Sequence, residues 1–159
     1  MRGTLETIVG AMFAGKTSEL LKRILWAEHQ GRKNIVLKPL VDNRYSKKVI
    51  ATHNNLSHSC STMSSWNDVN KEFDIKKKNF DILFLDEVQF MHPDETILNV
   101  EKILNEGINV VCAGLDQDSR GKPWETSSFL LGLSDKITKI YGFCNVCGFE
   151  ATKTYRKIQ

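Results

Sequence analysis

Eight residues near the amino terminus constrain this chain more than any others. Gly10-Ala-Met-Phe-Ala-Gly-Lys-Thr17 fits the pattern Gly-x-x-x-x-Gly-Lys-Ser/Thr. An apolar run over residues 5–9 precedes it. Behind it, residues 16–29 place Leu20, Leu21, Ile24 and Leu25 at helical spacing, with Gly31 as a stop. Strand, glycine-bounded loop and helix in that order make a cradle for phosphate. Gly10 and Gly15 let the backbone turn, so that the successive N–H groups of Ala11, Met12, Phe13 and Ala14 point at phosphate oxygens. The helix aims the positive end of its dipole at the same anion. Lys16 adds a mobile charge for the β- and γ-phosphates, and the Thr17 hydroxyl is placed to join a Mg²⁺ shell.

The rest of the chain alternates strands with helices. Residues 34–38 read as a second strand closed by Pro39, residues 66–73 as a short helix, and residues 80–85 as a buried strand. Pro93 and Asp94 open a helix that Gly107 ends, residues 108–113 form another buried strand, and residues 137–141 a last one. Such alternation predicts an α/β fold, a phosphate-loop NTPase-like parallel sheet covered by helices. The polar stretch 40–65 is long for a loop in a small domain, which points to a functional segment. Lys76, Lys77 and Lys78 read as a solvated loop. No internal repeat is present.

Residues 83–85 lead an apolar strand into Asp86-Glu87. Read alone, these acids are a strand's polar end. Beside a phosphate loop, Asp86 is the candidate to hold Mg²⁺. If the strand persists, the two side chains point to opposite faces, leaving Glu87 to accept a proton from an attacking hydroxyl. Cys144-x-x-Cys147 has three readings: half of a zinc site, two reduced thiols on a turn, or a redox pair. The net charge of +3 gives no argument for nucleic acid as a partner. No apolar run approaches the roughly 18 residues of a membrane span. The first ten residues do not read as a signal peptide, so the expected compartment is the cytoplasm.

Several segments, taken together, resemble a known family. The phosphate loop is followed by Lys38-Pro39, Asp42-Asn-Arg44-Tyr45, Thr52-His53, Asp86-Glu-Val-Gln-Phe90, Gly114-Leu-Asp-Gln-Asp118, Arg120-Gly-Lys-Pro123 and Cys144-x-x-Cys147. That order is similar to the cellular-type (type II) thymidine kinases over nearly the whole chain. The resemblance implies transfer of the γ-phosphoryl group of ATP, with Mg²⁺, to the 5′-hydroxyl of thymidine or deoxyuridine. It implies Glu87 as the catalytic base. ATP would be held by Gly10 to Thr17, by Asp86, Glu87, Val88 and Gln89, and by Arg44. Met12, Phe90, Leu115 and Trp124 would wall the thymine pocket. Thr17 and Asp86 would hold Mg²⁺, and residues 40–65 would be a flexible flap. A homotetramer is the family's usual assembly.

The sequence departs from the family at two places. Ser119 stands where many members have a Phe against the base, a loss on the order of 1 kcal/mol that Trp124 offsets in part. The chain also stops at Gln159, before the family's thymidine-covering lasso and its second pair of zinc ligands. The expected organisation is therefore a kinase domain over residues 1–141, with residues 142–159 beginning a zinc-ribbon-like appendage. In that appendage Cys144 and Cys147 are an incomplete set for Zn²⁺. Two other functions stay open: a nucleotide-binding remnant impaired by the missing lasso, and a phosphate-loop ATPase acting on nucleic acid.

Overall fold

The computed structural model describes residues 1–41, 48–52, 56–73 and 79–156. Lys76, Lys77 and Lys78, and with them Asp42, Arg44 and His53, lie outside the described residues.

The chain begins with β1 (Leu5–Gly10), α1 (Lys16–His29) and β2 (Asn34–Pro39). Three short strands follow, β3 (Val49–Ala51), β4 (Ser57–Ser59) and β5 (Ser61–Met63), and then α2 (Trp66–Glu72). The second half runs β6 (Ile82–Leu85), a 3₁₀ turn at Val88–Phe90, α3 (Pro93–Asn105), β7 (Asn109–Gly114), α4 (Glu125–Leu133) and β8 (Lys136–Ile140). A hairpin of β9 (Gly142–Phe143) and β10 (Glu150–Ala151) closes it.

Six strands form one sheet in the order β5-β2-β6-β7-β1-β8. Every neighbouring pair in it is parallel. This is the expected α/β architecture. Its central strands explain the unbroken apolar runs: all four residues of β6 are buried, as are five of the six in β7.

Alternate side chains go to two cores. On one face Ile8, Val36, Phe84, Val111 and Ala113 pack under Leu20, Ile24 and Ala27 of α1. On the other, Leu5, Leu37, Leu83, Leu85, Val110 and Cys112 meet α2, α3 and α4 through Trp66, Val69, Val100, Ile103 and Leu130. Each fully buried aliphatic or aromatic side chain contributes roughly 1.5–3 kcal/mol. The Trp66 indole N–H is satisfied inside this layer by Thr96 Oγ1 at 3.0 Å.

Two parts of the fold differ from the sequence expectation. Residues 40–65 are not wholly irregular. Within them β3 and β4 pair as an antiparallel hairpin, and β5 joins the main sheet beside β2. Strands of three residues carry too little periodicity to be read from sequence.

Helix α4 was not expected either, because Ser127, Ser128 and Gly132 are weak helix formers. The hydroxyls there are all satisfied, two of them by carbonyls outside the helix and its cap. Thr126 donates to Met91 O at 2.6 Å, Ser127 to Leu115 O at 2.6 Å and Ser128 to Trp124 O at 2.8 Å. No helix among the described residues is long and apolar enough to cross a membrane.

Candidate active site

Parallel strands deliver their following loops to one edge, and strand order decides which loops meet. β1, β7 and β6 are successive neighbours, so the loop after Gly10, the Leu115-Asp116 pair and the Asp86-Glu87 pair emerge side by side.

The phosphate loop turns through Phe13 and Gly15, which take left-handed backbone with φ of 62° and 98°. Gly15 precedes α1 and gives it no side-chain cap, so the first N–H groups of the helix stay available to an anion. Gly10 is needed for space; its own φ is ordinary. A Cβ there would lie 2.7 Å from the Ile140 carbonyl oxygen and 3.2 Å from Ala14 Cβ. Lys16 reaches back across the loop and donates to Ala11 O at 2.7 Å. Burial pulls its ammonium below the ordinary value, against the opposing pull of Asp86, Asp116 and Glu87. Thr17 is half-buried in the first turn of α1.

The acid pair separates by a different device from strand alternation. β6 ends at Leu85, and Glu87 takes a left-handed conformation with φ 54°. A β-carbon makes that conformation costly, of order 1–3 kcal/mol, so surrounding contacts must impose it. They do. The Glu87 N–H donates to Asp86 Oδ1 at 2.9 Å, and the Phe90 N–H to Glu87 O at 3.1 Å. Gly114 admits the turn closely, since a Cβ there would sit 2.8 Å from Val88 Cγ2 and 2.7 Å from Gln89 Oε1.

Asp86 is buried, and its pKa is pushed up to about 6, first by burial and then by the charge of Glu87. The Glu87 N–H, Lys16 and Lys38 offset this only in part. A carboxylate in that position fits a divalent cation, which would supply the charge its surroundings lack. Val88 is wholly buried, and the buried Gln89 spends its side-chain oxygen on the Leu115 N–H at 3.1 Å. Neither side chain is open to a ligand, so any contact from this pair would be through backbone.

Apolar surface lies open along the same edge. Phe90 and Trp124 meet edge to face, with centroids 5.7 Å apart and planes at 76°. Phe90 and Met12 are about half exposed, and Leu115 is half-buried. Ser119 is exposed, in a loop that Asp118 organises by accepting the Arg120 N–H at 2.8 Å and the Lys122 N–H at 3.0 Å.

The β9–β10 hairpin stands beside the phosphate loop. Gly142 lies close to Ala14, and the Met12 N–H donates to Thr154 Oγ1 at 3.0 Å. Within the hairpin the Cys144 N–H donates to Phe149 O and the Gly148 N–H to Cys144 O, both at 2.8 Å. The N–H groups of Cys147 and Val146 turn toward the Cys144 sulfur and, with the Cys147 thiol, hold its pKa below the ordinary value. No group of three or more His, Cys, Asp or Glu able to hold a metal occurs among the described residues. The hairpin presents two of the four ligands that structural zinc needs.

Three residues carry weight here that sequence reasoning did not single out. Gly114 makes room for the acid turn. Asp116, quoted only as part of a motif, is buried, with one oxygen paired to Lys139 Nζ at 2.9 Å. Lys139 is one of two lysines in β8, a signal too common to mark a site.

Residues 3–159 match the family model described as Thymidine kinase. Because that match runs through the sheet, the acid turn and the cysteine hairpin alike, the chain belongs to the thymidine kinase family.

Proposed function

We propose that this chain transfers the γ-phosphoryl group of ATP to the 5′-hydroxyl of thymidine. The observation that carries the proposal is the Glu87 turn. A half-buried carboxylate is held in strained backbone immediately after a buried, metal-seeking acid and on the same sheet edge as Lys16. Strain of that kind persists only where the surrounding structure imposes it and clusters at active sites, which supports Glu87 as a positioned proton acceptor.

In this reading Lys16 and the N–H groups that open α1 grip the triphosphate, while Thr17 and Asp86 hold Mg²⁺. The Met12 and Ala14 N–H groups donate to Thr154 Oγ1 and Ala11 O rather than lying open to phosphate as expected. The metal would neutralise charge on the phosphate oxygens. Glu87 takes the proton as the 5′-oxygen forms its bond to the γ-phosphorus. The bond from that phosphorus to the bridging oxygen breaks, and ADP leaves. Phe90, Trp124, Met12 and Leu115 offer the base its apolar wall, and Arg44 adds a phosphate contact. We further propose that the Cys144–Cys147 knuckle is built for zinc. Two thiols on a turn whose N–H groups favour a thiolate suit that ion better than a disulfide.

The test is ADP release from ATP with thymidine, run beside ATP hydrolysis with and without DNA. Thymidine-dependent release supports the reading. Hydrolysis that responds to DNA and ignores thymidine refutes it, and binding without turnover identifies the chain as a nucleotide-binding remnant.

A further inference from the structure

β7 runs between the phosphate-loop strand and the acid strand, so whatever follows it enters the space between their two loops. Asp116 is the second residue past β7, and its backbone is clamped from three sides. The Leu115 N–H donates to Gln89 Oε1 at 3.1 Å, Ser127 Oγ donates to Leu115 O at 2.6 Å, and the Trp124 N–H donates to Asp116 O at 3.0 Å.

Its side chain is only 9% exposed. Lys139 occupies one carboxylate oxygen at 2.9 Å. The other, Oδ1, is sealed from solvent and has no hydrogen-bond partner. A purely structural ion pair would not leave a buried charged acceptor open, because such a group is costly when unsatisfied. Lys16 also feels the Asp116 charge, but its ammonium donates to Ala11 O and does not reach Oδ1. A ligand seated between the two loops can bring that donor, in the place a buried water would otherwise take.

Charge identifies the ligand's class. Asp86, Asp116 and Glu87 all act on Lys16, and a triphosphate adds further negative charge to that ring. It enters favourably only with a divalent cation. Mg²⁺ keeps several of its waters, and each is an O–H donor.

We propose that Asp116, oriented by Lys139, accepts a hydrogen bond from the water shell of a nucleotide-bound divalent cation and so positions the metal–triphosphate pair without ligating it. This rests on the reading that the loop after Gly10 binds MgATP.

The experiment is calorimetric titration of a non-hydrolysable ATP analogue, with Mg²⁺ or with EDTA, into wild type, Asp116→Asn and Lys139→Met. Wild-type binding strengthened by metal is the starting condition; wild type that binds no analogue overturns the phosphate-loop reading and this one together, before any substitution is made. In Asp116→Asn the gain from metal should fall roughly 10–100-fold, as for outer-shell partners in general, while affinity in EDTA holds or improves. Lys139→Met should lose part of the same gain. If Asp116→Asn fails to fold, the half-exposed Lys139 carries the test by the same criterion. An undiminished metal gain, or equal losses with and without metal, overturns the proposal. So does a loss confined to thymidine binding, which would make the donor a nucleoside hydroxyl.

Discussion

The two ends of the sheet treat carboxylates in opposite ways. Glu6 sits at the start of β1, where Arg23 of α1 holds both of its oxygens and Lys136 of β8 approaches to 3.3 Å. Arg23 in turn holds Glu19 at 2.8 Å. Burial alone would raise the Glu6 pKa, but these cations outweigh it and leave the pKa below the ordinary value. Asp86, at the other end, is buried beside another carboxylate and is pushed up to about 6. Asp116 keeps an unpartnered oxygen. Glu87 and Phe13 hold left-handed backbone there without being glycine. One end has spent its charges on the fold. The other leaves them incompletely paired, at a cost in stability that a metal–nucleotide ligand would relieve under the proposed function.

The largest effect should come from Glu87. Glu87→Gln keeps the shape of the turn and removes the proton acceptor, so turnover should fall roughly 10²–10⁴-fold while ATP affinity is nearly unchanged. Steady-state rates beside equilibrium binding measure both, and unaltered turnover would remove Glu87 from the base role. Lys16→Ala should do the reverse, nearly abolishing triphosphate binding in the same assay.

Asp86→Asn sharpens the comparison through stability. Its folded pKa is raised above the ordinary 3.8. The stability this group contributes is therefore present below pH 4 and lost as pH rises through about 6. At neutral pH the charged form destabilises the fold by up to about 3 kcal/mol, at about 1.4 kcal/mol per pKa unit. The Asn variant should melt several degrees higher at pH 7.5, gain nothing near pH 4, and lose its response to Mg²⁺. A lower melting temperature at neutral pH would mean the carboxylate is structural.

Glu6→Gln should behave in the opposite sense. The depressed pKa means stability present above its ordinary value of 4.5 and lost as pH falls. The substitution should cost on the order of 1–2 kcal/mol at neutral pH, seen as a lower denaturation midpoint, and leave the Michaelis constant for ATP unaltered. A changed Michaelis constant would show that the two ends are coupled.

How much of this was readable beforehand follows the same division. The phosphate loop, the acid pair and the apolar strands are local patterns, and the sequence carries them openly. The parallel, helix-covered class of the sheet followed from alternation; its strand order did not. Four things were not local. The left-handed turn at Glu87, closed by the neighbouring Asp86 carboxylate, fits only because Gly114, far along the chain, leaves it room. Asp116 matters because β7 separates β1 from β6, a fact of strand order. Helix α4 forms against its own propensities because its hydroxyls find carbonyls in Met91 and Leu115. The strand β5 is three residues long and exists through its pairing with β2. Each depends on contacts between segments far apart in the chain, which periodicity does not encode.

The smallest predicted effect is the most direct reading of the difference between the two ends. With a pKa near 6, Asp86 is about half protonated at pH 6. Binding of a metal–nucleotide pair there selects the ionised form, so about half a proton from this group should be released on binding at pH 6, falling toward zero by pH 8. Calorimetric titrations at one pH in buffers of different ionisation enthalpy count released protons. The nucleotide's own terminal phosphate also titrates in this range, so the quantity to read is the difference between wild type and Asp86→Asn. Glu6→Gln is the control, since a carboxylate already ionised and ion-paired has no proton to give, and its count should match wild type. If Asp86→Asn also releases the wild-type number, then Asp86 is already ionised in the free protein, and the contrast between a spent and a reserved carboxylate fails at that residue.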